Sequence, residues 1–153
     1  MISAVVGSGR YVGVGELEEV QLFYYFAESE NRPEDDPLIL WLTGGPGCSG
    51  LSGLIYEVGK CKLPSNPRSL LIDSSWNDTR MIFVDSHVGT GFSYSITQQG
   101  YNTNDTKTSL DLYEFMRKWL LTHPKFLPNQ VYVSGDSYGG IFRADGSLSN
   151  FKW

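Results

Sequence analysis

A glycine on each side of a buried-strand ending narrows what this chain can become more than any other feature. Residues 131–133 read VYV and residues 135–140 read GDSYGG. The short apolar run suits a strand. Glycines at 135 and 139 then allow the backbone to turn sharply into a helix where side chains would crowd the neighbours. Such a turn lifts Ser137 above the sheet. An ordinary glycine turn is the plainer reading of one isolated hexapeptide, so the rest of the chain has to decide between them.

Upstream, residues 38–43 read LILWLT, a continuous apolar run of the kind found in buried parallel strands, and they empty into GGPGCSG at 44–50. A serine hydroxyl is a poor nucleophile alone. It needs a histidine to take its proton, a carboxylate to orient that histidine, and backbone donors to hold an oxyanion. The residue after the serine supplies one such donor, here the Tyr138 amide. A glycine-rich loop after an earlier strand supplies the other, for which Gly45 is the natural choice.

LTGGPGCSG at 42–50, FVDSHVGTGFSY at 83–94 and GDSYGG at 135–140, in this order, resemble the serine carboxypeptidase family. The similarity runs from about residue 11 to 140 and takes in LFYYFAESE at 22–30 and FMRKWLLTHPKF at 115–126. Within the family the chain looks most like the plant branch, which includes acyltransferases that use glucose esters as acyl donors. The resemblance implies a truncated α/β-hydrolase fold with a mainly parallel central sheet and an amino-terminal β-hairpin. It implies one partial domain over 1–153 with a divergent tail at 141–153, and no cofactor. The implied substrate is a peptide carboxy terminus or a glucose-ester acyl donor. In the family's peptidases an asparagine usually stands at Thr43 and a glutamate at Asp136. With Gly44 and a glutamate matching Glu57, these would hold the substrate. A shorter acid and a hydroxyl weaken recognition of a terminal carboxylate, which favours acyl transfer over peptide trimming for an intact relative.

The resemblance stops near Gly140, and in the family the triad aspartate and histidine come later. Only His87 and His123 are available here. His123 follows a helix and precedes the strand leading to Ser137, so it belongs at the opposite edge. His87 follows the strand at 81–84 and so lies at the correct edge, but on a strand expected two spacings from the elbow. Losing the histidine of a serine hydrolase costs on the order of 10⁶ in turnover. The chain as written is therefore expected to be catalytically impaired, the alternative role being that of a non-catalytic truncated isoform that binds or interferes with a partner, or has no function.

Formal charge is −5, from 12 basic and 17 acidic residues without a basic cluster, which argues against nucleic acid and anionic membranes as partners. No apolar stretch reaches membrane-spanning length, and MISAVVGSGR lacks the features of a signal peptide. The family is secreted or vacuolar, and the sequons at Asn77 and Asn104 fit that ancestry; without a leader a cytosolic location stays open. No metal-site spacing is present. Cys48 pairs in the family with a downstream cysteine, which leaves either a Cys48–Cys61 bridge or reduced thiols here.

Helical periodicity is expected at 51–58 and most clearly at 105–121, with Leu112, Phe115, Met116, Trp119 and Leu120 on one face and Asn104 or Asp105 capping the start. GSGRYVGVG at 7–15 reads as a hairpin turn, and the acidic run at 34–36 as a solvated loop. Residues 143–150 are too short and glycine-interrupted for a stable helix. A sheet ending at the elbow strand exposes an edge that invites self-association.

Overall fold

The computed structural model describes residues 6–29, 36–58 and 79–144, with side chains from Arg10 to Ile141. Two antiparallel strands open the chain, β1 (Val6–Val14) and β2 (Val20–Ala27), followed by β3 (Leu38–Leu42), β4 (Arg80–Val84), the short β5 (Tyr94–Ser95) and β6 (Val131–Gly135). They form one six-stranded sheet in the order β1-β2-β4-β3-β6, with β5 pairing on β2. β2 meets β4 antiparallel, whereas β3 is parallel to both β4 and β6. The expected architecture is therefore present, a parallel core with an antiparallel hairpin beside it. β5 has no counterpart among the sequence-based expectations, because two residues carry no period.

Strand character follows position. β4 lies between two strands and is buried at all five residues, and β3 alternates buried and half-buried. The glycine-rich run at 7–15 is not a turn: it is β1 itself, with a register shift between Gly7 and Arg10, and only Gly15 (φ +91°) belongs to the turn that follows. Alternation through the glycines still leaves Val12 and Val14 against the core.

The helix α2 (Asp105–Thr122) starts where capping chemistry places it, Asn104 accepting from the Lys107 amide at 2.8 Å. The five core-facing residues read from the sequence are all buried. Trp119 packs against Phe26 and Phe126 at centroid distances of 5.3 and 5.2 Å. A shorter helical stretch follows β3, one α-turn, α1 (Gly50–Ser52), running on into a π-turn over Gly53–Glu57. α3 (Gly139–Ala144) follows β6, and the tail beyond it lies outside the described residues.

The acidic run is not simply solvated. Asp36 is buried, its carboxylate accepts from Ser29 Oγ, and its carbonyl accepts from Asn129 at 3.2 Å and from Arg80 at 3.3 Å. Arg80 is itself buried, its guanidinium 4.8 Å from the centre of the Phe126 ring. Glu34 and Asp35 lie outside the described residues, as do Cys61 and Asn77.

Asp111, on the inner side of α2, is 8% exposed. Burial raises its carboxyl to about 6, the neighbouring Lys107 opposing and Glu114 and Glu19 reinforcing that shift. A folded-state value above the unfolded one means the proton binds better in the native protein, so the stabilisation is full below the unfolded value near 3.8 and is lost as pH rises through about 6. Asp111→Asn removes the charge. It is expected to unfold at higher denaturant than the parent at pH 8, by about 1–3 kcal/mol, with the gap closing towards pH 4. Equal midpoints at pH 8 would count against the buried charge.

Candidate functional site

The end of β6 makes the turn that its glycines anticipate. Ser137 has φ +46°, a left-handed conformation that an L side chain adopts only at a cost of roughly 1–2 kcal/mol. Three consecutive turn bonds hold it there, from Gly139 N to Asp136 O (2.8 Å), Gly140 N to Ser137 O (3.1 Å) and Ile141 N to Tyr138 O (3.0 Å). The glycines have a definite neighbour. A Cβ on Gly135 would lie 3.1 Å from Leu42 Cβ, and one on Gly139 would lie 2.9 Å from the Leu42 carbonyl carbon, each still closer to the Leu42 oxygen. The elbow crosses directly over the end of β3.

That crossing brings the glycine-rich loop to the serine. Gly44 donates its amide to Asp136 Oδ1 at 2.8 Å, and a Cβ on Gly44 would stand 2.8 Å from Ser137 Cβ. Gly45 has φ +120°, and its N–H donates no hydrogen bond among the described residues. Tyr138, half-buried, donates its hydroxyl to both carboxylate oxygens of Asp105 at 3.0 and 3.1 Å, tying the residue after the serine to the start of α2. That hydrogen bond raises the phenol above its ordinary pKa.

The remaining predicted binding residues form an adjoining group. Thr43 is buried and its Oγ1 has no hydrogen-bond partner among the described residues. A Cβ on Gly53 would come to 2.5 Å from that oxygen and 2.9 Å from the Trp41 indole, so Gly53 is required for the π-turn to lie against the end of β3. Glu57 is exposed and accepts from Trp41 Nε1 at 3.0 Å. Asp136 is engaged by Gly44, and Glu57 by Trp41; no hydrogen bond joins the two acids among the described residues.

Sequence reasoning passed over Asp85, the residue that holds these loops together. It is fully buried at the end of β4. Oδ1 accepts from Ser49 Oγ and from the Gly50 amide, each at 2.7 Å, and Oδ2 accepts from the Phe92 amide at 2.8 Å. Its carbonyl accepts from Ser93 Oγ at 2.6 Å, while the same Ser93 oxygen accepts from the Phe23 amide at 2.8 Å. A side chain at Gly91 would run into the carboxylate. An acid directly after an apolar strand and before GTG was the available signal.

Neither histidine reaches the serine. His123 caps α2, its Nδ1 2.8 Å from the Trp119 carbonyl and its ring stacked on Trp119 at 4.2 Å. His87 is half-buried on the loop after β4, with Nδ1 2.8 Å from Val88 O. β3 lies between β4 and β6, so two strand spacings, about 10 Å, separate the two loops at their roots. Asn104, the described sequon asparagine, is exposed and spends Oδ1 on the α2 cap. Cys48 is an exposed thiol. Among the described residues no cluster of metal-ligating side chains is present, and no helix is long and apolar enough to cross a membrane.

Comparison with known proteins places the same stretch. The serine carboxypeptidase family model matches residues 6–144. Serine carboxypeptidase-like 2 of Arabidopsis thaliana is 51% identical over 138 residues, covering 86% of this chain and 31% of that protein. Serine carboxypeptidase-like 10 of the same plant is 49% identical with the same coverage. Among solved structures, a prohormone-processing carboxypeptidase of Saccharomyces cerevisiae superposes with a TM-score of 0.74 at 25% identity, over 92% of this chain and 33% of that one. A proline iminopeptidase-related protein of Thermus thermophilus shares the fold at a TM-score of 0.54 and 18% identity, over 94% of this chain and 40% of that one. The chain thus spans about a third of the length of the curated relatives it matches.

Proposed function

The chain belongs to the serine carboxypeptidase family, and from that premise we propose that residues 6–144 carry the nucleophile half of an acyl-transferring serine site. Ser137 is the acyl acceptor, and the amides of Gly45 and Tyr138 receive the oxyanion. The observation that carries this reading is the left-handed Ser137 directly against Gly44. Strain of that kind is retained where a hydroxyl must stand clear of its own strand. Thr43, Gly44, Glu57 and Asp136 line the acceptor side. Asp136 holds the Gly44 amide, which sets the entry of the loop, and Glu57 is positioned by Trp41. A peptide carboxy terminus or the acyl group of a glucose ester is the substrate class. Threonine and aspartate at 43 and 136 favour the ester, since they offer a terminal carboxylate fewer well-placed donors than the amide and longer acid of the peptidases.

Neither imidazole of the chain is placed to activate Ser137, so turnover requires a base from outside these residues. Covalent capture by a fluorophosphonate, with the stretch placed in a full-length relative that supplies the base, tests the assignment, and it must vanish in Ser137→Ala. The secreted or vacuolar route of the family extends to this chain as part of the same reading, with Asn77 and Asn104 as glycan acceptors.

Among the described residues β6 pairs with β3 alone, and Tyr132 on it is 52% exposed. Such an edge offers unpaired backbone groups to another chain. The 153-residue chain is expected to self-associate with rising concentration in sedimentation velocity, and Tyr132→Lys to weaken that association by charging the edge. A monodisperse monomer at all concentrations would remove the edge as an interface.

A further inference from the structure

A concavity lies apart from the elbow, where the hairpin meets the last turn of α2. Pairing sets Arg10 opposite Tyr24 and Val12 opposite Leu22, and Leu22 and Tyr24 belong to the core packed under α2. Arg10 therefore stands on the α2 side of the hairpin. The groove there, of about 500 Å³, is lined by Arg10, Tyr11, Tyr24, Leu121, Thr122 and His123, and it continues over Phe26. That size suits a small organic ligand.

The charges in this groove are unequally committed. Lys118 bonds Glu18 at 2.7 Å and Glu114 at 2.8 Å, and Lys125 bonds Glu28 at 3.0 Å. Arg10 has neither an ion pair nor a side-chain hydrogen bond among the described residues. Its charge nevertheless reaches into the groove: burial pushes the Tyr24 phenol up, and Arg10 is one of the groups, after Trp119, that draw part of that shift back. The carbonyls at the end of α2 do not claim the guanidinium. Those of Lys118 and Trp119 accept from Thr122 Oγ1 at 3.1 and 2.9 Å, and that of Leu120 accepts from the His123 amide at 3.1 Å.

We propose that this groove binds a small monocarboxylate with an apolar or aromatic body. A planar guanidinium pairs with a carboxylate through two parallel hydrogen bonds, and Tyr24, Phe26 and Leu121 offer the body an apolar wall. Glu18 and Glu28 flank the groove, which disfavours a more highly charged anion. The site is independent of the acyl-transfer reading, because none of its residues contributes to the elbow.

The test titrates 3-phenylpropanoate and its neutral amide into the full chain, by calorimetry and by amide chemical shifts. The expected result is a Kd below about 1 mM for the acid, with the amide weaker by about tenfold or more. Arg10→Gln, at an exposed position without a side-chain partner among the described residues, is expected to fold normally and to lose about tenfold or more in affinity for the acid. Shifts should centre on Arg10, Tyr24, Thr122 and His123 and persist in Ser137→Ala. Equal affinity for acid and amide, unchanged binding by Arg10→Gln, no saturation by about 10 mM, or shifts confined to 43–45 and 136–138 would each overturn the proposal.

Discussion

Placed in the matching stretch of a full-length relative, residues 6–144 are expected to be captured by a fluorophosphonate at Ser137, while the 153-residue chain reacts slower by at least about 10³-fold, some 4 kcal/mol of barrier. The reason is geometric. The elbow and the glycine loop are formed here, with Gly44 against Ser137 and the Gly45 amide uncommitted among the described residues. The imidazole is not, since His123 is bound to the end of α2 and His87 sits beyond β3. Removing that base from a serine hydrolase costs on the order of 10⁶ in turnover, and binding with an oxyanion hole recovers only the residue of the effect. Ser137→Ala in the chimera should abolish capture. A chain that reacts as fast as its chimera would mean that a base is already present, and His87→Ala would then identify it. A chimera that folds and stays unreactive would remove Ser137 from the role assigned to it.

Asp85→Ala is expected to lower stability by roughly 3–5 kcal/mol, since it leaves three donors without their acceptor at about 1–3 kcal/mol each before relaxation. The change leaves the Gly50 and Phe92 amides and the Ser49 hydroxyl facing a void at the end of β4. In a chain of this size that corresponds to a fall in Tm of about 10 °C or more. Asp85→Asn separates charge from shape. It keeps an acceptor for Ser49 and Gly50 but turns an amide donor towards Phe92 N, so an intermediate loss is expected. Thermal unfolding of both variants checks the order. A loss under about 1 kcal/mol for Asp85→Ala would show that the loops are held by other contacts.

The two effects differ in how far the sequence anticipates them. Ser137 and Gly45 are recognisable in the linear chain because each answers a local backbone demand, a sharp turn or a positive φ, whereas the clearance that Gly135 and Gly139 provide is against Leu42 on β3, distant in sequence. The inner face of α2 is legible for a related reason, since its apolar period is set by the helix and not by its partners. The family pattern adds the order of the motifs and with it the sheet. None of this points to Asp85 as the tie between loops, because its partners lie 35 and 36 residues before it and 7 after it, and only the sheet order brings them together.

The other departures share that origin. Asp36 looks like part of a solvated acidic run until β4 and the turn before β6 bring Arg80 and Asn129 to its carbonyl, 44 and 93 residues away. The glycine run at 7–15 looks like a turn until β2 supplies the hydrogen-bonding partner that makes it a strand. Gly53 is unremarkable in sequence and becomes obligatory only when the π-turn settles on Thr43 and Trp41. The elbow turn, the glycine loop and the helical face are legible in the linear chain, because they follow from steric and hydrogen-bonding rules within a few residues. Which buried polar groups find partners emerges only from the folded chain, because strand order across the sheet brings together residues far apart in sequence.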